Sequence, residues 1–189
     1  MAASTRLAGP TTNSHFKSAE ERSAFVDQLA DALYAAKIVS YAQGFMLMRE
    51  AAKEMKWDLN YGGIALMWRG GCIIRSVFLG DIKKAFTQTP DLSSLLLDDF
   101  FNAALARSHQ SWRRVVGTAV AAGVPTPALS SALAFYDGYR CATLPANVIQ
   151  AQRDFFGAHT FERLDNPGTF IHNDWTGHSG NVTSSTYQV

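Results

Sequence analysis

Arg153 and His159 carry the spacing in this sequence best suited to chemistry. They lie in the run Gln150-Ala151-Gln152-Arg153-Asp154-Phe155-Phe156-Gly157-Ala158-His159. An arginine at the end of a helix and a histidine just past its glycine stop can converge on one point. The guanidinium offers a planar fork of donors that fits a phosphate, and the imidazole adds a further donor. Taken singly, each residue also has a plainer reading: a surface ion-pair partner for the arginine, a satisfied loop residue for the histidine. Spacing alone leaves both open.

The remaining polar residues do not assemble into a reaction centre. There is no Gly-x-Ser-x-Gly, no Cys-x-x-Cys and no glycine-rich turn leaving a strand. His172, Asp174 and His178 fit neither a helical histidine pair nor a zinc loop, so no metal is implied. Asp98-Asp99 reads as the start of a helix, where negative charge is stabilised. Gly70-Gly71 lacks the preceding strand and the Gly-Lys-Ser/Thr of a phosphate loop. The sequence therefore carries no complete active site of its own.

Composition narrows the partners. Seventeen Lys+Arg stand against sixteen Asp+Glu, and only Arg113-Arg114 approaches a basic cluster. Nucleic-acid binding needs a concentrated positive face, so that class is set aside. Hydrophobic residues make up 47% and charged residues 17%, the balance of a globular chain that can bury a core without disulfides. Cys72 and Cys141 are expected to be reduced thiols packed in apolar helical surroundings. No apolar run reaches the ~18–20 residues that span a bilayer, and no leader opens the chain, so a cytoplasmic protein away from membranes is expected.

The elements that must position Arg153 and His159 are helices. Residues 1–17 read as an irregular lead-in, 18–165 as an all-α domain and 166–189 as an extended C-terminal arm or disordered tail. Ser18-Ala19-Glu20-Glu21 forms a capping box, and Val26, Leu29, Leu33, Ala36, Ser40, Gly44 and Leu47 recur at helical spacing to about Met55. From Asp58-Leu59-Asn60 a second helix is expected over Tyr61–Phe86. It is apolar nearly all round and therefore buried on every face, with a close helix crossing at Gly70-Gly71. Thr89-Pro90-Asp91 turns into a short helix around Leu92–Leu97, and another runs from Asp99 to Ala122, stopped by Gly123 and Pro125. Thr126-Pro127 starts a helix to about Arg140, and one more runs from Pro145 to Phe156, closed by Gly157. No strand alternation is visible. Asn166-Pro167-Gly168 is expected as a turn, with Phe170, Trp175 and Tyr187 as aromatic anchors for the arm. The fold class is all-α, a long-helix bundle with a C-terminal arm.

Several long runs resemble one family. Lys37-Ile38-Val39-Ser40-Tyr41-Ala42-Gln43-Gly44-Phe45, Trp57-Asp58-Leu59-Asn60-Tyr61-Gly62 and Trp68-Arg69-Gly70-Gly71-Cys72-Ile73-Ile74-Arg75 are similar to the NADP-dependent, decarboxylating 6-phosphogluconate dehydrogenases. So are Phe135-Tyr136-Asp137-Gly138-Tyr139-Arg140 and Leu144-Pro145-Ala146-Asn147 continuing to His159. The likeness runs with little or no gap from about residue 2 and implies the family's C-terminal helical part. That family opens with a Rossmann domain and places its catalytic lysine and glutamate before the helical domain. Neither is in this sequence, and Lys37 and Glu50 belong to the long helix and do not replace them.

The resemblance further implies that Arg153 and His159 reach into a neighbouring subunit and hold the substrate phosphate, contributing binding rather than proton transfer. It implies that Ser184, Ser185, Thr186 and Tyr187 contact NADP from a tail that threads over the partner. Thr186, Gln188 and Phe156 depart from commoner family residues. The implied partners are 6-phosphogluconate and a second subunit, as a homodimer or by pairing with a full-length chain. The isolated chain is expected to be inactive, and the alternative role is a helical dimerisation module without catalysis.

Overall fold

The computed structural model describes residues 7–10, 16–175 and 177. These divide into two compact units, residues 1–137 and 138–189. In the first unit, α1 (Ala19–Met55) begins where the sequence places it. The Ser18 hydroxyl accepts the Glu21 amide at 3.2 Å, and the Glu21 carboxylate turns back to the Lys17 N–H at 2.7 Å. The helix closes on Lys56, which takes the left-handed conformation.

The buried face of α1 matches the apolar spacing only in part, at Ala36 and at Leu29, which packs against the core. Ala32, Ala35, Ala36, Ile38, Val39, Ala42 and Phe45 are buried, whereas Val26, Leu33 and Leu47 are exposed. The reason is size. A stripe of alanines lets α4 (Asp99–Ala121) come close along α1, and only small side chains permit that approach. The larger aliphatics at 26, 33 and 47 are left on the open side.

The expected helix over Tyr61–Phe86 is two helices. Asn60 caps α2 (Tyr61–Met67) by accepting the Gly63 amide at 2.8 Å, and α3 (Leu79–Gln88) follows an irregular segment. Gly71 sits at φ +69°, a backbone state that other residues rarely adopt, and among the described residues no helix crosses there, since a Cβ on either glycine would meet nothing within 4 Å. Two carbonyls of the broken segment are met by side chains of α1. The Tyr41 hydroxyl donates to the Ile74 carbonyl, and Lys37 Nζ to that of Arg75 at 3.4 Å. Far from being buried on every face, this segment leaves Ile73 at 99% and Val77 at 96% exposure. Phe78, Leu79, Ile82, Ala85 and Phe86 join the core instead, Phe78 and Phe86 through ring contacts in a cluster with Tyr41, Phe45, Tyr61 and Trp68.

A 3-10 turn, Leu95–Leu97, leads into α4, capped by Asp98, whose carboxylate accepts the amides of Phe100 and Phe101 at 3.1 and 3.3 Å. Gly123 at φ +67° ends it as expected. The next helix, α5 (Pro127–Tyr139), starts at Pro127, with the Thr126 carbonyl accepting the Ser130 amide at 2.9 Å. Trp112 on α4 is fully buried and its indole N–H donates to the Leu129 carbonyl at 3.2 Å. Arg113 grips Asp137 through two nitrogens.

In the second unit, α6 (Ala146–Gly157) is followed by a hairpin of β1 (Phe161–Arg163) and β2 (Asn166–Ile171), paired antiparallel as Phe161 with Ile171 and Glu162 with Phe170. The hairpin turns at Leu164-Asp165, so Asn166-Pro167-Gly168 belongs to a strand and not to the turn expected from its composition. Its residues are mostly exposed, which is why no alternation betrays it. Both cysteines are free, but neither is a packed helical thiol: Cys72 lies in the irregular segment, half-buried, and Cys141 is exposed after α5. Among the described residues, no helix is long and apolar enough to cross a membrane.

Candidate functional site

One face of α6, the loop after it and the hairpin build an open cleft of about 660 Å³, lined among others by Asn147, Gln150, Arg153, His159, Arg163 and Phe170. Arg153 and His159 are both exposed and both face this one space. Arg153 donates to the neutral amide oxygen of Gln150 at 2.9 Å, so its charge is not cancelled by that contact. Arg163, by contrast, is held by Asp165 through two bonds. A guanidinium and an imidazole on one cleft wall offer several N–H donors and suit an oxyanion such as a phosphate.

The route from helix to histidine is tightly specified. Ala158 and Thr160, on either side of His159, both adopt left-handed backbone, at φ 48° and 63°. For a residue with a Cβ that conformation costs roughly 1–2 kcal/mol, so other interactions must hold it. The Ala158 amide donates to the carbonyl of Asp154 at 2.9 Å, and the Thr160 amide to its Oδ1 at 2.8 Å. Gly157 has its own role. A Cβ there would come within 2.7 Å of the Nε2 of His159, so only glycine lets the imidazole lie against the helix end. The helix does not close on Gly157 itself, as its position in the sequence implies; the left-handed residue is Ala158.

Asp154 is wholly buried. Besides Thr160, its carboxylate meets His172 Nδ1 at 2.9 Å, the Asn173 amide at 3.0 Å and the Trp175 indole N–H at 2.8 Å. Burial alone would raise its pKa, but these bonds outweigh burial and lower it to about 2. The Trp175 ring also packs on Phe161 at 5.9 Å between centroids. Trp175 is thus an anchor of the segment after β2, as its aromatic character implies, and His172 is bound to a carboxylate. His178, Ser184, Ser185, Thr186 and Tyr187 lie outside the described residues. Asp154 and Gly157 are the two site residues that sequence reasoning misses. An aspartate in the last turn of a helix, where negative charge is disfavoured, is the signal that could have found the first.

An all-α bundle followed by a hairpin-flanked cleft with an exposed arginine and histidine defines a domain suited to holding an anionic ligand. Residues 1–175 match the family model described as 6-phosphogluconate dehydrogenase, C-terminal domain, and the chain belongs to this family. It is 64% identical over 187 residues to the decarboxylating 6-phosphogluconate dehydrogenase of Drosophila melanogaster, covering 99% of this chain and 38% of that protein. To the Homo sapiens enzyme of the same name it is 60% identical over 187 residues, with the same shares covered. The solved structure of Plasmodium falciparum 6-phosphogluconate dehydrogenase, determined in apo form, with its cofactor NADP+ and with its substrate 6-phosphogluconate, superposes with a TM-score of 0.81. The identity to that structure is 38%, covering 92% of this chain and 36% of that one. The chain thus spans little more than a third of the length of the relatives it matches.

Proposed function

We propose that this chain serves as the C-terminal domain of a decarboxylating 6-phosphogluconate dehydrogenase, and that Arg153 and His159 bind the substrate phosphate in a site completed by a neighbouring subunit. The observation that carries this reading is the opening of both side chains onto one cleft, with Arg153 donating there to the neutral amide of Gln150. The reaction is oxidation of 6-phosphogluconate at its C3 hydroxyl with reduction of NADP, followed by loss of CO₂ to give ribulose 5-phosphate. NADP accepts the hydride when bound. The described residues hold no βαβ unit to receive the dinucleotide; from this chain, Ser184, Ser185, Thr186 and Tyr187 are the residues that would touch it.

Arg153 and His159 supply binding energy and orientation. A phosphate held remote from the reacting carbons fixes the rest of the sugar acid, and that energy is expressed as rate where it positions the reacting bonds. Neither side chain moves a proton in this scheme. A second reading, an interaction module without catalysis, is supported by the exposed Ile73 and Val77, which another polypeptide would cover.

Complementation in trans tests the proposal. A full-length Drosophila melanogaster subunit in which the arginine and histidine equivalent to Arg153 and His159 are alanine is mixed with this chain. Mixed dimers should form NADPH from 6-phosphogluconate, while a chain carrying Arg153→Ala and His159→Ala should not restore activity, and the chain alone should give none. Equal rescue by the doubly substituted chain, or no rescue by the unsubstituted one despite mixed dimers, would refute the phosphate role. Mixed dimers without rescue would leave the interaction module as the better description.

A further inference from the structure

We propose that Asp154 is the positioning residue of the phosphate cleft, setting the backbone on both sides of His159 and coupling it to the segment that follows β2. This rests on the reading of Arg153 and His159 as a phosphate site, and it names the device that shapes that site. Asp154 does not line the cleft and would not touch the ligand. Its neighbour in sequence, Arg153, faces the cleft, while Asp154 faces inward and is fully buried.

Three observations converge on it. First, the two left-handed residues that bracket His159 both give their amide N–H to this one residue, Ala158 to its carbonyl and Thr160 to its carboxylate. A carboxylate kept only to fill the interior would have no reason to hold Thr160, one of the two strained positions around the candidate ligand-binding side chain. Second, the same carboxylate seats His172, Asn173 and Trp175, so one group joins the arm after β2 to the histidine loop. Its Oδ1 receives both Thr160 and His172, and its Oδ2 both Asn173 and Trp175. Displacing donors from one side therefore perturbs those on the other. Third, the four donors spread the charge of a carboxylate lying behind an anion site. An unbonded carboxylate there would oppose a phosphate, whereas a satisfied one can remain ionised beside it.

Nuclear magnetic resonance on the 189-residue chain, titrated with 6-phosphogluconate, tests the idea through Asp154→Asn and Trp175→Phe. The amide keeps the size of the side chain but turns a donor toward N–H groups. In Asp154→Asn the His159 imidazole resonances should shift, amide exchange at Thr160 and Asn173 should accelerate together, and the dissociation constant should rise about tenfold. Trp175→Phe removes one donor on the arm side and should move the His159 resonances in the same direction by less, with the circular dichroism unchanged. Wild-type affinity and unmoved His159 resonances in Asp154→Asn would overturn the positioning role while leaving the phosphate site standing. If neither the unsubstituted chain nor its mixed dimer with the full-length subunit shows a His159 response to 6-phosphogluconate, the phosphate reading fails, and amide exchange decides the coupling. Joint acceleration at Thr160 and Asn173 then supports it and continued protection ends it. Should Asp154→Asn fail to fold, Trp175→Phe carries the test, and a Thr160 amide indifferent to that change overturns the coupling.

Discussion

The imidazole of His159 lies against Gly157 so closely that a Cβ on the glycine would stand 2.7 Å from Nε2 and 2.8 Å from Cδ2. The contact ties a backbone requirement to a ligand-facing side chain. Gly157→Ala should separate the two effects. Alanine is the better helix former by up to ~1 kcal/mol, and the obstructing atoms belong to the movable end of a side chain. The melting temperature should therefore hold or rise slightly while 6-phosphogluconate binding weakens, measured by calorimetry and by titration of the His159 resonances. Unaltered binding would mean that the imidazole need not lie on Gly157.

The acid response of the second unit follows from Asp154. Its pKa falls from an ordinary 3.8 to about 2 in the fold, because the bonds from Asn173, His172, Trp175 and Thr160 outweigh burial. A group whose pKa is depressed by folding stabilises the fold above its unfolded value, and that stabilisation drains away as pH falls through the folded value. His172 is the titratable side chain bonded to it. Amide protection at Thr160 and Asn173 should persist at pH 5 and disappear between about pH 4 and pH 2. Hydrogen exchange across that range measures it, and protection surviving below pH 1 would contradict the assignment.

What could be read in the sequence was the punctuation. Ser18, Asn60, Asp98, Gly123 and Pro127 mark helix ends because each supplies a local bond or backbone state that needs no distant partner. What depends on distant partners was hidden. The apolar run 61–86 reads as one helix until Tyr41 and Lys37 are seen to take up the carbonyls of a break at Gly70-Gly71. The buried face of α1 is chosen by the approach of α4, which favours alanine over the more hydrophobic Val26 and Leu33. At the site, the positions of Arg153 and His159 were visible as a helix-end pattern. The roles of Asp154 and Gly157 were not, because they depend on Thr160, on the ring of His159 and on residues 172–175 returning to the helix end.

In the helical unit, Trp112 and Asp137 should differ sharply in cost. Trp112 is fully buried and its N–H is spent on the Leu129 carbonyl, so Trp112→Ala leaves a cavity and an orphaned acceptor. A loss of ~3–5 kcal/mol is expected. The Arg113–Asp137 pair, each side chain about one-third exposed, is screened by water, and Asp137→Asn should cost only ~1 kcal/mol. Urea unfolding of both variants checks the order, and a reversed ranking would show that the bidentate pair, rather than the indole, fastens α4 to α5.

Ile73 and Val77, at 99% and 96% exposure, stand on an irregular segment tied to α1 at the carbonyls of Ile74 and Arg75. They add nothing to the packing of their own unit, so truncating them should leave the unfolding curve of the dissociated chain unchanged. Large aliphatics left in water are instead a drive toward another surface, worth about 25 cal/mol per Å² covered. If subunits pair through this segment, sedimentation of the unsubstituted chain at micromolar concentration should show association, and Ile73→Ser with Val77→Ser should shift the population toward monomer. The same double variant should lower rescue in the mixed-dimer assay without changing the His159 response to 6-phosphogluconate, since the cleft is built entirely within residues 147–170. A monomeric unsubstituted chain would remove the segment as a subunit contact. Association that survives both substitutions would move the contact elsewhere, with the exposed line of Val26, Leu33 and Leu47 on α1 the next surface to truncate.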